Sequence, residues 1–413
     1  MTTPYNPNPP TTLGLDEINL ADPDFWLRDD YHDALTKLRN TRPISWHEHR
    51  DSGKGHWALL DYNDIVDVTR DWTHFVNKYG TRVQHDYGSG QIRPGTGVMS
   101  ELDPPAHTKN RAQVSQAFTP RQVKKMEDYV RQQAERIVSE FSAGDEVDFV
   151  TEIAAKLPLE IICDVLGVPK ADRPMLYDLT NRSLGDQDPE YGQSPDEGSK
   201  ATLAIRAYGV KLGAERLAKP ADDLMSEIAR IDYDGQKLTK EQLGGYFAIL
   251  AVAGNETSRT AMSWGLHAFS KFPEQKRKFL EDPIGLGPSA AEEIIRWATP
   301  VRNMARTVEE DLEFKGVAMK KGQKLALWFA SSNRDPRYFP SPFQFDITRD
   351  PNPMHSFGAG GPHFCLGANI ARREVYVLFQ ELFKRFPNAE AIGEPRRLRS
   401  VSINGIKSLR VRL

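Results

Sequence analysis

Two short stretches of this sequence carry side chains in arrangements able to do chemistry. The first is Phe357-Gly-Ala-Gly-Gly-Pro-His363-Phe-Cys365-Leu-Gly367, a glycine-rich loop that places one cysteine just ahead of an amphipathic run. Ile370, Val377, Leu378, Leu382 and Phe383 recur there at helical spacing. A helix starting near Leu366 points its free N–H groups and positive dipole end toward the sulfur, which favours thiolate over thiol. A thiolate so placed is an electron-rich metal ligand, and such a loop suits close approach to a flat cofactor. The second stretch is Ala253-Gly254-Asn255-Glu256-Thr257 inside a long apolar helical pattern. Glycine costs roughly 1 kcal/mol relative to alanine in a helix interior, so Gly254 needs a packing or functional reason. Beside it stand an acid, Glu256, and an alcohol, Thr257, groups able to exchange protons, although such a run by itself reads as a surface helix turn.

Other pairs are weaker signals. His107 and Arg111 share one helical face, as do Glu293 and Arg296; alone, the first is a solvated helix start and the second a surface salt bridge worth little. His363 and Cys365 lack two further nearby ligands for zinc. A Cys–His hydrolase would leave the glycine loop and the Glu256–Thr257 helix unexplained. Cys163, among Leu157, Ile161, Ile162, Val165 and Leu166, reads as a core residue.

The elements that must position these groups are mostly helical. Residues 31–40 read as a short helix, and Pro43–Trp46 with His56–Leu60 as a hairpin. Asn63 is expected to cap the next helix, with Ile65 and Val68 on its apolar side. Residues 78–99 show no period, and a loop of that length is more often functional than idle. Helices are predicted at 121–142 and 147–166, then an acidic break at 183–198 and a turn at Asp234-Gly235. Thr239 and Gln242 form a capping box that opens a helix over about 240–270.

The cysteine loop resembles the haem-binding loop of cytochrome P-450 haem-thiolate monooxygenases. Gly361, His363, Cys365 and Gly367 stand at the family's offsets, whereas Phe357 lies one place further from the cysteine than the usual pattern. That extra residue is a trait of a bacterial subgroup that hydroxylates methyl-branched lipids and sterol side chains. Ala253–Thr257, Arg296-Trp-Ala-Thr-Pro-Val301, Asn352-Pro353, Ala368–Arg372 and Asn404-Gly-Ile-Lys407 also look like that subgroup. The resemblance covers nearly the whole chain. It implies a mainly α fold with small β-sheets, one large domain over residues 15–413 enclosing haem b, behind a loose proline-rich arm at 1–14.

By position, the resemblance implies Cys365 as the axial iron ligand, and His107, Arg111, Arg306 and His363 as holders of the haem carboxylates, with Phe357 and Gly367 also beside the haem. It gives Glu256 and Thr257 the proton relay, and makes Glu293, Arg296 and Arg349 a buried structural trio. Val98, Met99, Ala253, Val301, Met304 and Ile403 become an apolar substrate pocket, with residues 78–99 as its lid. The role of His355 stays open, because Met354 follows Pro353 where the family often has histidine. A peroxide-driven haem-thiolate enzyme would lack the acid–alcohol pair. A non-catalytic haem sensor or carrier would need neither relay nor lid.

Length and composition fit that reading. At 413 residues the chain can enclose a planar cofactor and a substrate. A net charge of −3 argues against nucleic acid as a partner. Two cysteines give no disulfide framework and suit a reducing cytoplasm. No signal peptide and no membrane-anchoring run is visible. No flavin or nicotinamide motif appears either, so the electrons are expected from a ferredoxin and its reductase. Lys109, Arg121, Lys124, Lys125, Arg372 and Arg373 are the candidate docking charges on the cysteine side. The expected reaction is hydroxylation at or near the end of a methyl-branched lipid, isoprenoid or sterol side chain, with a steroid-ring or terpene hydroxylase as the alternative.

Overall fold

The computed structural model describes residues 5–49, 54–83, 98–115, 118, 124, 126–191, 197–233 and 236–413. Its axis is the helix Lys240–Lys271, opened by the capping box in which Thr239 and Gln242 bond each other's backbone N–H groups at 3.2 and 2.9 Å. Both ends of that box are set by sequence, which is why the start was legible. The helix is buried along most of its length, from Leu243 to Phe269. It packs against Lys156–Val165, Glu197–Ala218, Gly287–Ala298 and Ala368–Arg385. Close approach to Glu197–Ala218 depends on small residues. A Cβ added at Gly244 would sit 2.6 Å from the Arg206 carbonyl oxygen, and one at Gly209 would sit 2.4 Å from Phe247. At the far end Phe269 meets Phe279, Phe379 and Phe383 with ring centroids 5.2–5.5 Å apart. Each such buried ring contributes about 1.5–3 kcal/mol.

A five-stranded sheet flanks the helices, in the order Ile44–Glu48, Gly55–Leu59, Lys324–Trp328, Asn303–Val308, Phe75–Val76. Trp46 pairs with Trp57 in the first hairpin, and Leu325 with Arg306 across the middle of the sheet. Alternation along Asn303–Val308 puts Met304 and Arg306 on one face. Smaller sheets complete the architecture: it is mainly helical, with small β-sheets.

Several local expectations change. The helix Tyr62–Arg70 is capped by Asp61, whose carboxylate accepts from the N–H groups of Asn63 and Asp64, so Asn63 lies inside the helix. The helix predicted over 147–166 is a strand Glu146–Asp148, a π turn Val150–Ala154 and an α-helix Lys156–Val165. Asp148 explains the break, since its carboxylate accepts from Val150 N–H at 2.9 Å and competes with helical pairing. Within 121–142 the described helix is Glu127–Ser139. Most of the 78–99 loop, the Asp234-Gly235 turn, Arg121 and Lys125 lie outside the described residues. In the 1–14 stretch, residues 5–14 contain no helix or strand; Thr11 N–H donates to Asp33 at 2.9 Å and Tyr5 meets His267 edge-on. No helix among the described residues is long and apolar enough to cross a membrane.

Candidate active site

The long helix, the cysteine loop and the Asn303–Val308 strand enclose a mostly apolar cavity. Its atom-free space is about 1750 Å³, mouth included. Cys365 lines it. The sulfur is accessible from the cavity, yet protein surrounds it closely enough that burial raises the thiol above its ordinary value. The Gly367 N–H and the Arg111 and Arg372 charges pull the other way without cancelling that effect. The helix end expected to favour the thiolate is outweighed here by the cost of desolvation; a bound cation is what deprotonates a thiol in such a place.

The loop is shaped to lie flat. Cys365 N–H donates to the Phe357 carbonyl at 2.8 Å, closing the loop on itself. Gly361 has φ +74, and a Cβ there would meet the Thr69 carbonyl oxygen at 2.5 Å, so only glycine fits. Gly367 is different. Its Cβ would meet nothing within 4 Å and would enter the cavity that Gly367 lines. The ring of Phe357 is buried, with the Arg372 guanidinium 4.4 Å from its centroid, so the loop absorbs its extra residue without exposing that ring.

On one side of the cavity stand four nitrogen-bearing side chains: His107, Arg111, Arg306 and His363. The two histidine rings lie 4.1 Å apart. Both nitrogens of His107 and Nε2 of His363 are buried without a hydrogen-bond partner. Burial holds His107 down at about 4; burial and the Arg306 charge hold His363 at about 2. Desolvation likewise lowers Arg306 to about 10 and lowers Arg111. No ion pair joins either arginine to a carboxylate among the described residues. A buried donor cluster short of anions is what the carboxylates of a haem would complete. Together with the open cradle at Gly367 and the inward Cys365, these residues fit haem.

Across the cavity the long helix presents Leu250, Ala253, Gly254, Thr257, Ser258 and Ala261. A Cβ at Gly254 would come 3.3 Å from Ile162, so packing against Lys156–Val165 accounts for part of its helix cost. The Thr257 hydroxyl donates to the Ala253 carbonyl at 2.8 Å, while Glu256 is absent from the cavity wall. Glu256 is buried and pairs with Arg259, which also donates to Asn181 Oδ1 at 2.8 Å. Adjacent helical positions point about 100° apart, so one residue of the pair faces the cavity and the other the protein.

Of the six pocket candidates, Met99, Ala253, Val301 and Met304 line the cavity. Val98 and Ile403 do not: a Cβ at Gly245 would be 2.3 Å from Val98, which packs on the long helix, and Ile403 bridges Val301 through the backbone. Phe118, Ile161, Ile162, Leu250, Ser258 and Glu374 also line the cavity, although their positions were not among the sequence-based expectations. Leu250 and Ser258 repeat the period of Ala253 and Thr257, and Glu374 is a lone acid on an apolar helix face; those signals were available.

The Glu293, Arg296 and Arg349 trio does not line the cavity. Arg296 grips Glu293 through two bonds of 2.7 Å, both residues fully buried, and Arg349 Nε adds a third at 3.1 Å. His355 is buried, stacked on Tyr62 at 3.9 Å with Nδ1 3.1 Å from Ser332 Oγ, which makes it a packing residue.

A mainly helical fold around a cavity with one inward cysteine and an anion-hungry donor cluster defines a haem-thiolate protein. The cytochrome P450 family profile matches residues 288–395. The chain is 41% identical, over 99% of its length and 97% of the relative's, to a methyl-branched lipid omega-hydroxylase of Mycobacterium tuberculosis. It is 36% identical over 95% of its length, and 84% of the relative's, to a steroid C26-monooxygenase of Rhodococcus jostii. Among solved structures, a Mycobacterium marinum cytochrome P450 in complex with pseudoionone shares 34% identity and superposes with a TM-score of 0.88, covering 98% of this chain and 99% of that one. The chain belongs to the cytochrome P450 family. It is a haem b-dependent monooxygenase.

Proposed function

We propose that this enzyme hydroxylates a hydrophobic chain at or near its end, on a methyl-branched lipid, isoprenoid or sterol side chain. The observation that carries the reading is the apolar wall formed by Met99, Phe118, Leu250, Ala253, Val301 and Met304 on the cavity that Cys365 also lines. Burial in such a wall is worth about 0.8 kcal/mol per methylene, enough to hold a long chain without polar anchors. The names of the relatives, one acting on branched lipids and one on a steroid side chain carbon, support the same class.

In this reading Cys365 would hold the haem iron through its sulfur, and the bound haem would supply the activation of dioxygen, chemistry that a thiolate ligand favours. His107, Arg111, Arg306 and His363 hold its carboxylates. Thr257 holds a hydroxyl on the cavity wall, oriented by the Ala253 carbonyl. Glu256, once it leaves Arg259 and takes up a proton from solvent, passes that proton to the hydroxyl. The pair of electrons comes from a ferredoxin system in the cytoplasm. Lys124 is exposed for docking, whereas Arg372 and Arg373 pair with Glu292 and Glu127.

The test is product analysis by mass spectrometry after turnover with a branched fatty acid and with a sterol ketone, each supplied with a ferredoxin and its reductase. Oxygen at a terminal or adjacent carbon is the expected result. Oxygen on ring carbons alone would end the chain-end reading.

A further inference from the structure

Two of the four donors beside the cavity, His107 and Arg111, stand on the short helix Ala106–Ser115, which buries His107, Asn110 and Val114. The Asn110 amide donates from Nδ2 to the Ala106 carbonyl at 3.0 Å. With the nitrogen so placed, Oδ1 is left as the acceptor. Its donor comes from the long helix: the hydroxyl of Tyr246, a fully buried residue. Next to Tyr246, Gly245 leaves room for Val98, which lies 2.3 Å from where a Cβ would stand. One turn further on, Leu250 lines the cavity. One turn of the long helix thus receives both the approach to Ala106–Ser115 and one of its buried side chains.

We propose that Tyr246 is a positioning residue for the haem, whose hydroxyl acts through Asn110 to fix His107 and Arg111 against the haem carboxylates. Successive helical residues stand about 100° apart, so Asn110 lies about 60° around the axis from His107 and about 100° from Arg111. Holding Asn110 therefore fixes the roll of the helix, and with it the direction of both neighbours. Apolar contact through Val114 resists separation but is non-directional, whereas a hydrogen bond fixes direction as well as distance. The helix has ten residues, and helices shorter than about 12–15 residues are marginal in water, so its geometry depends on such tertiary ties. Tyr246 does not line the cavity, and its effect on the haem is indirect. The inference rests on the assignment of His107 and Arg111 to the carboxylates.

Transfer of haem from the holoenzyme to an apoglobin acceptor measures this grip without turnover. Tyr246→Phe keeps the ring and removes the hydroxyl. Haem loss should then speed up roughly 2- to 10-fold, the worth of one hydrogen bond between uncharged groups. Asn110→Leu should do the same, the two together should add nothing further, and Asn110→Leu carries the test if Tyr246→Phe fails to fold. The carbon monoxide difference band of thiolate-bound haem should be kept throughout. Two backgrounds then separate positioning from general stabilisation. In Arg306→Leu, Tyr246→Phe should multiply the rate by its usual factor, since Arg306 stands on the separate strand Asn303–Val308. In His107→Leu/Arg111→Leu it should change nothing, because the groups it positions are gone. A tyrosine that merely stabilises the fold would speed haem loss by the same factor in both backgrounds. That result, or an unchanged rate in Tyr246→Phe alone, overturns the inference while leaving the two holders in place. Unchanged haem loss in His107→Leu/Arg111→Leu itself would remove those side chains as holders, and the inference falls with them.

Discussion

Glu256 and Arg259 form a buried ion pair on the long helix, 2% and 4% exposed, while Thr257 between them faces the cavity. The acid and the alcohol that sit side by side in sequence therefore occupy different environments. Arg259 ties the acid to Asn181 and Tyr177 of the helix Arg173–Leu184, at 2.8 and 3.3 Å. That arrangement separates two consequences of mutation.

Glu256→Gln should destabilise the fold as well as the reaction. It leaves Arg259 a buried charge without its partner, which costs about 3–5 kcal/mol. Thr257→Ala removes a hydroxyl at the cavity wall and should leave the urea midpoint nearly unchanged while lowering product per electron. Equal urea midpoints for Glu256→Gln and wild type would show that the ion pair does not hold in solution.

Cys365→Ser should abolish the carbon monoxide difference band of thiolate-bound reduced haem. The loop itself should persist, because its closure rests on the backbone bond from residue 365 to the Phe357 carbonyl at 2.8 Å. Retention of the band in the mutant would remove Cys365 as ligand.

Arg306→Leu should speed loss of haem to an apoglobin acceptor. A hydrogen bond to a charged group is worth about 1.5–3 kcal/mol, so retention should weaken roughly 10- to 100-fold. The substitution also relieves a buried guanidinium that burial lowers to about 10, so the apoprotein should not become less stable. Unchanged haem transfer would exclude Arg306 from carboxylate binding.

Acid should destabilise the protein from about pH 6.5 downward. Burial lowers His355 to about 3 and His47 to about 4, so below the ordinary histidine value the unfolded chain binds protons that the folded one refuses. Stability is therefore highest above that value and falls with pH, by about 1.4 kcal/mol per pH unit for each such histidine until its folded value is reached. His47→Gln should flatten the slope of the urea midpoint between pH 6 and about 4. An unaltered slope would mean that His47 takes up its proton in the folded state.

Sequence alone determined the parts of this protein whose cause is local. The capping box at Thr239 and Gln242 is written within four residues, and the cysteine loop carries its own turn chemistry in Gly358, Gly360 and Gly361, all at positive φ. Helical period gave the long helix its extent and put Thr257 on the face of Ala253. The tertiary structure decided everything that depends on what stands opposite. It turned Glu256 toward Arg259 and away from the cavity, because a helix advances about 100° per residue and the protein lies on that side. It moved Val98 and Ile403 off the wall, since apolar residues look alike in sequence whether they meet a cofactor space or another helix. It raised the Glu374 carboxyl and the Cys365 thiol above their ordinary values, because desolvation is set by neighbours from distant segments, and no spacing in the chain records how much water they exclude.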